Sequence, residues 1–208
     1  MSWVGQLSLE FERSGHQTVI ARRRHRGPLL VQRPFHEPDG TCQVYLIHPP
    51  GGVVGGDSLA YAFDLRSDSR ALITTPGATK LYRSSRLRSM LEHDVVARGG
   101  GTFEWLPQET IVFSGVQADS STRVRLDAGS QFIGWDIVCL GHDNAGIQRG
   151  HLVQSWELER EGRCLWRERA EYEGGSAVLV EPWGLAGRTV VGVLVATGSG
   201  AAEVDAVR

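Results

Sequence analysis

The sequence predicts an all-β protein: a many-stranded, single-domain scaffold of packed sheets with a couple of short helices. Three features of its 208 residues support this fold class. Several segments alternate polar and apolar residues, which is the pattern of a strand with one buried face. Other apolar runs are short enough to be strands covered on both faces. The 26 glycines fall between these segments without a repeat period, as turn residues do.

The strand candidates follow one another along the chain, separated by turn signals. Strict alternation occurs in residues 3–11, 59–65, 124–126 and 152–158. More continuously apolar runs occupy residues 42–47, 71–74, 111–113, 133–140 and 189–196. Sequences such as Pro38-Asp39-Gly40 and Pro76-Gly77 are typical of the turns between them. The chain is therefore expected to contain about a dozen strands.

Three segments are helix candidates in this otherwise β-rich chain. They are residues 79–87, a stretch within residues 130–140, and residues 201–208 at the end of the sequence. The last contains good helix formers, but a helix that short is marginal in water. Because no linker or repeat divides the sequence, we expect residues 1–208 to form one domain, shortened at its C-terminus.

The balance of charges argues against a polyanionic partner. Lys and Arg total 22 against 24 for Asp and Glu, and the formal net charge of -2 gives no global attraction to nucleic acid or to an acidic membrane. The run Arg-Arg-Arg-His-Arg at residues 22–26 is a local exception. It fits a solvated strand end, or a basic patch that binds a protein or RNA.

Nothing in the sequence indicates export or membrane insertion. The three cysteines, Cys42, Cys139 and Cys164, are odd in number and widely spaced, which fits reduced thiols better than a disulfide framework. The N-terminal segment lacks the basic-then-apolar order of a signal peptide, and no window approaches the roughly 18 apolar residues of a membrane helix. We therefore expect a cytoplasmic protein.

The most unusual stretch is glycine-rich and lies at residues 48–57, HPPGGVVGGD. A phosphate-binding loop would make the chain a nucleotide-using hydrolase, which is the alternative from the enzyme class. However, the stretch has neither a G-K-[ST] ending nor G-x-G-x-x-G spacing, and no helical pattern follows it. A structural or interface turn that positions Asp57 is the favoured interpretation.

The polar residues do not assemble into a catalytic site or a stable metal site. Seven histidines are scattered without the i, i+4 spacing of a helical metal site, and no G-x-S-x-G motif is present. Imidazole and carboxylate groups do bind divalent metals, so a transient route past His48, Asp57 and Asp136 is compatible with the sequence. The alternative for each acid is a hydrogen-bonded turn or an exposed face.

Five successive blocks resemble the hallmark blocks of the UreD (also called UreH) family of urease maturation proteins. They are GPLLVQRPF (27–35), VYLIHPPGGVVGGD (44–57), LITTPGATKLYRS (72–84), EWLPQETIVFSG (104–115) and GWDIVCLG (134–141). Their order and spacing also match those of the family, and together they cover a little over half of the chain. The HPPGGVVGGD, TPGATK and WLPQETI strings carry most of the resemblance.

This resemblance implies an all-β scaffold that is not an enzyme. UreD-type proteins bind the urease apoprotein on one side and urease accessory proteins F and G on the other, and protein G is the GTPase of that assembly. The chain is then expected to provide a docking surface and a conduit for nickel in transit, with no tightly bound cofactor, no nucleic-acid partner and no membrane partner.

The resemblance also assigns expected roles to individual residues. The candidates for a metal conduit are Asp57, Thr79, Glu104, Glu109 and Asp136. Structural or interface roles are implied for Lys80, Tyr82, Arg83, Gly51, Gly52, Gly55 and Gly56. A charged lysine cannot ligate a cation, and tyrosine and arginine are enriched at protein contacts.

Two departures from the family pattern leave a further alternative open. After GWDIVCLG the family usually continues with an arginine and a Gly-Glu pair, whereas His142 and Gly146-Ile147 occupy these places here. Family members also usually continue well past residue 208. A truncated relative that keeps the fold but has lost partner binding is therefore an alternative to the scaffold.

Overall fold

The computed structural model describes residues 2–142 and 146–198, which form sixteen strands and one short helix. The strands are β1 (Val4–Ser14), β2 (Gln17–Arg26), β3 (Leu30–Val31), β4 (Phe35–His36), β5 (Cys42–Ile47), β6 (Ser58–Leu65), β7 (Arg70–Thr74), β8 (Thr79–Leu81), β9 (Ser89–Ala97), β10 (Thr102–Trp105), β11 (Thr110–Val112), β12 (Val116–Leu126), β13 (Gln131–Leu140), β14 (Gly150–Arg160), β15 (Arg163–Glu173) and β16 (Val190–Ala196). Helix α1 (Ala177–Val180) lies between the last two strands.

The first sheet has seven strands in the order β15-β14-β12-β9-β6-β1-β2. Its inner strands run parallel to one another, while β2 and β15 close the two edges in antiparallel orientation. Aligned residues form rows across this sheet. One row on the core-facing side joins Tyr61, His93, Thr122 and Trp156, so residues far apart in sequence become neighbours.

The second sheet has nine strands, and it is interrupted in the middle. Its main path is β3-β5-β7-β10-β13-β11-β8, with β16 paired to β13 and β4 paired to β5. The long strand β13 pairs twice in parallel, first with β10 and then with β11. Residues 106–109 separate β10 from β11, and residues 75–78 separate β7 from β8. These two segments leave a gap in the sheet.

The chain passes repeatedly from the first sheet to the second, and this explains the parallel neighbours. Strands β6, β9 and β12 each lead through a tight turn into β7, β10 and β13. Successive turns are joined by backbone hydrogen bonds, from Arg98 N to Leu65 O at 3.0 Å and from Asp127 N to Ala97 O at 2.9 Å. Each coil of the chain, which consists of a strand of the first sheet, a turn and a strand of the second sheet, therefore stacks directly on the preceding coil.

The core between the two sheets is centred on aromatic residues from facing strands. Phe63 of the first sheet lies 5.3 Å from Phe103 of the second, measured between ring centroids, and Phe103 lies 6.3 Å from Phe132. All three are at most 1% exposed. They are core-facing because strand residues alternate between the two faces of a sheet. One continuous apolar cluster joins the two sheets.

The prediction of an all-β fold is confirmed, and the segments with strict alternation are strands. Residues 59–65 and 152–158 lie in β6 and β14, with Leu59, Phe63, Leu152 and Leu158 buried as the alternation predicts. The continuous apolar runs are strands of the second sheet, including β5, β7 and β16. The expected dozen strands was an undercount, because several strands have only two or three residues.

The helix predictions were wrong where the structure describes them. Residues 79–87 begin with β8, which pairs in parallel with β11, and residues 130–140 are occupied by β13, which is paired on both sides. Long-range pairing overrides the local helix propensity in both segments. The candidate at residues 201–208 lies outside the described residues. Helix α1 at Ala177–Val180 was not predicted.

Candidate functional site

A cavity of about 430 Å³, lined by apolar residues and a few polar ones, lies between the two sheets, behind the gap in the second sheet. Its outer rim includes Pro76, Gly77 and Gln108, which are exposed and belong to the segments that interrupt the sheet. Its inner wall includes Gln154 of the first sheet, which is 5% exposed. The cavity therefore leads from the surface into the polar part of the core.

Asp136 is the only carboxylate among the described residues that line the cavity. It lies on the core-facing side of β13, on the same face as the buried residues Phe132 and Val138. One of its oxygens, Oδ2, accepts hydrogen bonds from Gln154 Nε2 at 3.0 Å and from Trp156 Nε1 at 2.9 Å. The indole of Trp105 is a third hydrogen-bonding group near this carboxylate.

Burial raises the pKa of Asp136 from an ordinary value of 3.8 to about 6. The hydrogen bonds from Gln154 and Trp156 oppose this rise in pKa. The Trp105 indole opposes it less, because the geometry of its Nε1 is too poor for a regular hydrogen bond. At neutral pH the carboxylate is therefore mostly ionised but close to its titration midpoint. A proton and a metal cation compete for such a group.

His93 and Tyr61 form an aromatic part of the inner wall. Their rings stack with centroids 5.3 Å apart, and His93 also lies 4.9 Å from the Trp105 ring. Nδ1 of His93 is 3.3 Å from the Thr122 hydroxyl. Burial lowers the pKa of His93 from 6.5 to about 4, while a hydrogen bond with the Ser121 backbone opposes this shift, so this imidazole is neutral at physiological pH.

His48 lines the outer half of the cavity beside Gly51 and Gly52. Its Nε2 is buried and has no hydrogen-bond partner among residues 2–142 and 146–198. Burial lowers the pKa of His48, and the negative charge of Asp57 opposes that shift. His48 is therefore a neutral imidazole with an unsatisfied nitrogen in the lining of the cavity.

Thr79 and Lys80 also line the cavity. Thr79 lies two residues before the fully buried Leu81, so both side chains are on the core-facing side of β8. The backbone carbonyl of Lys80 accepts a hydrogen bond from Val53 N at 2.7 Å. This bond fastens the glycine-rich segment to the short strand β8.

Asp57 lies outside the cavity lining, and its environment is structural. It is 1% exposed. Its Oδ1 accepts a hydrogen bond from Trp3 N at 2.7 Å, and its Oδ2 accepts one from Val54 N at 3.0 Å. The carboxylate therefore holds the start of β1 against the turn that precedes β6.

Glu104 and Glu109 are not brought together with Asp136. Glu104 alternates with the buried residues Phe103 and Trp105, so it lies on the outer side of the second sheet. Burial raises the pKa of Glu104 and the charge of Asp39 adds to the rise, while Arg70 opposes it. Glu109 raises the pKa of the outward-facing thiol of Cys139 by its charge, although burial of that thiol is the larger cause. Neither glutamate lines the cavity.

The glycines of the 48–57 segment allow it to pack closely on the chain after β8. A Cβ at Gly52 would lie 2.2 Å from Cε2 of Tyr82, and a Cβ at Gly55 would lie 2.0 Å from Oγ of Ser84. Gly51 and Gly56 adopt positive φ angles in the same turn. The segment simply joins β5 to β6, and no helix follows it, so it lacks the helix N-terminus of a phosphate-binding loop.

Tyr82 and Arg83 border a second, shallower pocket near the end of β11. The Tyr82 ring stacks on Phe113 with centroids 4.9 Å apart, and Phe113 stacks on His142 at 5.1 Å. Tyr82 is 36% exposed, and Arg83 is also exposed. Their implied interface role is compatible with this placement and stays a prediction.

Sequence reasoning missed Tyr61, His93 and Gln154 as parts of the site. The signal for two of them was present, because Tyr61 and Gln154 occupy core-facing positions in the alternating segments 59–65 and 152–158. A polar residue on the apolar face of a strand indicates a polar interior. His93 lacked such a signal, since its strand contains Asp94 and Glu92 beside it.

The described residues contain no group of three or more His, Cys, Asp and Glu side chains that is arranged to hold a metal ion. The cavity instead offers spaced single ligands: the imidazole of His48, the hydroxyl of Thr79, and the inner pair His93 and Asp136. Imidazole, hydroxyl and carboxylate groups are each able to ligate a divalent cation.

The fold and the cavity define a class of protein: a β-scaffold whose two sheets of largely parallel strands enclose a cavity that reaches the surface and contains one buried carboxylate among its described lining residues. The chain matches the family model described as UreD urease accessory protein over residues 4–208. It is 45% identical over 196 residues to the urease accessory protein UreD of Azoarcus sp. (strain BH72), covering 93% of this chain and 69% of that protein.

Two further relatives have the same name and similar coverage. The chain is 43% identical over 197 residues to the protein of Dechloromonas aromatica (strain RCB), covering 93% of this chain and 68% of that protein. It is 43% identical over 201 residues to the protein of Pseudomonas aeruginosa (strain PAO1), covering 95% and 71%. The chain therefore belongs to the UreD family of urease accessory proteins.

Proposed function

We propose that this chain takes part in urease maturation as a scaffold that binds the urease apoprotein and accessory proteins F and G. In this proposal nickel is cargo, and the cavity between the sheets carries it toward the apoprotein. The chain itself catalyses no reaction and holds no resident cofactor. Family membership supports the link to urease, and the cavity supports the transport of a cation.

The observation that carries the transport proposal is the single carboxylate at the inner end of the cavity. Asp136 faces the cavity from the second sheet, and its pKa of about 6 leaves it mostly anionic at neutral pH. Two imidazoles, His48 and His93, have lowered pKa values and remain neutral, so they do not repel a divalent cation. Carboxylate and imidazole are both good ligands for Ni²⁺.

The scaffold part of the proposal rests on the surface around the cavity. The exposed residues Tyr82 and Arg83 lie next to the glycine-rich segment, and both residue types are enriched at protein contacts. A partner that docks here would cover the rim of the cavity. The described residues contain no helix long and apolar enough to cross a membrane, and we propose that the protein acts in the cytoplasm.

The transport proposal is tested by urease activation in cells that express the apoprotein, accessory proteins F and G, and a tagged form of this chain. Asp136→Asn keeps the size of the side chain and removes its charge. We expect the Asp136→Asn variant to co-purify with the same partners as the unmodified chain. The nickel content and the activity of urease should both fall by at least about tenfold. Thr79→Val is expected to have a smaller effect of the same sign.

Glu104→Gln is the matched control, because it neutralises a carboxylate on the outer side of the same sheet. It is expected to leave activation unchanged. Equal losses with Asp136→Asn and Glu104→Gln would contradict transport through the cavity. If the unmodified chain is soluble but does not co-purify with proteins F and G, the binding-defective alternative would replace the scaffold. Micromolar nucleotide binding by the pure chain would support the hydrolase alternative instead.

A further inference from the structure

Strand β2 forms one edge of the first sheet, and most of its outer side is free. The sheet ends at β2. Its beginning is covered, since Thr18 N donates to Gly40 O at 2.8 Å and Thr18 O contacts the His36 ring at 2.9 Å. From Ala21 to Arg26 every residue is exposed, and in the described part of the chain the backbone of this stretch pairs only with β1.

The free stretch is strongly basic on both of its faces. Its residues are Ala21, Arg22, Arg23, Arg24, His25 and Arg26. Arg22, Arg24 and Arg26 pair in register with Glu10, Ser8 and Gln6 on the outer face of the sheet. Arg23 and His25 lie opposite the buried residues Leu9 and Leu7, on the other face. Positive charge therefore surrounds the free edge.

Most of this charge is uncompensated within the described structure. Arg22 lies 3.6 Å from Glu10, and Glu10 also serves Arg66 at 3.3 Å. Arg23, Arg24 and Arg26 make no ion pair with any described residue.

The two arginines on the inner strand β12 of the same sheet differ from those of β2. Arg123 pairs with Glu157 at 3.0 Å, and Arg125 pairs with Asp94 at 2.5 Å. Both arginines of β12 thus have a carboxylate partner, whereas three of the four arginines of β2 have none among the described residues.

The free edge and the charge together select the kind of partner. An exposed strand edge offers unpaired backbone N–H and C=O groups, which another extended peptide can satisfy. The flanking arginines attract carboxylates and repel a second copy of the same edge. Nucleic acid would use the charge but not the backbone groups, and the net charge of the chain is -2.

We propose that the edge of β2 between Ala21 and Arg26 binds an extended, acidic segment of a partner protein, which adds a strand to the first sheet. This interaction surface is distinct from the cavity and does not depend on nickel transport. The arginines select an acidic segment, and backbone pairing with β2 requires that the segment is extended.

Fluorescence anisotropy with the full 208-residue chain tests the proposal. The probe is a short labelled peptide of alternating glutamate and valine. Arg24→Glu combined with Arg26→Glu is expected to weaken binding by at least about tenfold, whereas Arg24→Lys keeps the charge and retains binding. Arg163→Glu is the matched control. It reverses an exposed, unpaired arginine of β15 at the other edge of the same sheet, and it leaves binding unchanged.

Three results would overturn the proposal. Equal binding by the double charge-reversal variant, with its fold verified by circular dichroism, would show that the β2 arginines are not the contact. Undiminished binding of a fully N-methylated peptide, which has no backbone donors, would show that no strand is added. Tighter binding of single-stranded RNA than of the peptide at equal salt would identify a nucleic-acid surface instead.

Discussion

The two sheets of the molecule are built from the same coils of chain but differ in continuity. In the first sheet, β6, β9, β12 and β14 pair along their whole aligned length. In the second, two coils are interrupted, after β7 and after β10, and resume as β8 and β11, while β13 runs through without a break. The cavity lies behind these breaks. A continuous sheet thus provides the rigid wall, and an interrupted sheet provides the access.

The difference extends to the residues that fill the space between the sheets. Below the gap the sheets meet through close-packed aromatic rings, such as Phe63 and Phe103. Behind the gap, polar groups such as His93, Gln154 and Asp136 replace them. The closed region should therefore contribute most of the stability, and the buried polar groups behind the gap should reduce it. Substitutions in the two regions can separate these contributions.

The largest effect is expected in the closed region, for Phe103→Ala. This ring is fully buried and contacts both Phe63 and Phe132. Its removal leaves a cavity that the rigid sheets cannot close, so the free energy of unfolding should fall by about 3–5 kcal/mol. Urea denaturation followed by tryptophan fluorescence measures the change.

Ile133→Ala is the control for Phe103→Ala, because Ile133 lies on the outer face of the same sheet and is 36% exposed. Its cost should stay below about 1 kcal/mol. Similar losses for the two variants would mean that the closed region is not the main source of stability.

Asp136→Asn should increase stability at neutral pH. The folded-state pKa of Asp136 is about 6, above its ordinary value of 3.8. The folded state therefore binds more protons than the unfolded state between these values, and the wild-type protein loses stability as the pH rises through this window. The cost reaches about 3 kcal/mol above pH 6, and asparagine avoids it while keeping an acceptor for Gln154.

Denaturant unfolding at a series of pH values tests this expectation. The difference between Asp136→Asn and the wild type should be near zero below about pH 4 and should grow to its full size by pH 7. A variant that is less stable than the wild type at pH 7 would show that the ionised carboxylate stabilises the fold. The idea that charge is kept there for cargo would then lose its support.

His93→Gln should show the opposite dependence on pH. The pKa of His93 is lowered from 6.5 to about 4, so the unfolded state binds more protons between these values. The wild-type protein therefore loses stability as the pH falls from 6.5 to 4, by as much as about 3 kcal/mol. Glutamine keeps a polar group near Thr122 and has no such cost, so its relative stability should be greatest at acidic pH. Parallel pH profiles for wild type and variant would contradict a buried, neutral His93.

The sequence predicted β1, β6, β14 and the end of β12 in the first sheet, because each has one buried face and alternates accordingly. It did not predict β2, β9 or β15. The helix prediction at residues 79–87 was wrong, because β8 has only three residues and depends on pairing with β11. The helix prediction within residues 130–140 was wrong because β13 is paired on both sides. Such contacts join segments far apart in the chain, and local propensity does not report them.

For the site, family blocks and strand alternation carried different information. The blocks nominated Thr79, Lys80 and Asp136, which the fold brings to one cavity. They also nominated Glu104, but it is adjacent to the buried Phe103 in β10, so its side chain lies on the outer side of the sheet. His93 faces the cavity only because β9 lies between β6 and β12. Strand order in a sheet is a long-range property, and this explains why the sequence did not indicate His93.

A smaller effect is expected for Gly134→Ala, which tests the packing of β13 beside the cavity. A Cβ at this position would lie 2.5 Å from Cζ of Phe132 and 3.1 Å from Cβ of Trp105. Because Phe132 is buried and cannot swing into solvent, overpacking should lower the free energy of unfolding by about 1–3 kcal/mol. Gly192→Ala on the paired strand β16 is the control, since a Cβ there meets no atom within 4 Å. Equal stabilities of these two variants would indicate that β13 can shift freely.

The smallest effect is expected at the rim of the gap, for Gly77→Ala. A Cβ at Gly77 meets no atom within 4 Å, and its φ is not in the left-handed region. Alanine also restricts the unfolded chain, so stability should be unchanged or should rise by up to about 1 kcal/mol. The measurement is the same urea titration, with urease activation as a second readout. A loss of more than about 1 kcal/mol would mean that the rim is packed as tightly as the closed region, and the contrast between the two sheets would then fail at the point where the cavity reaches the surface.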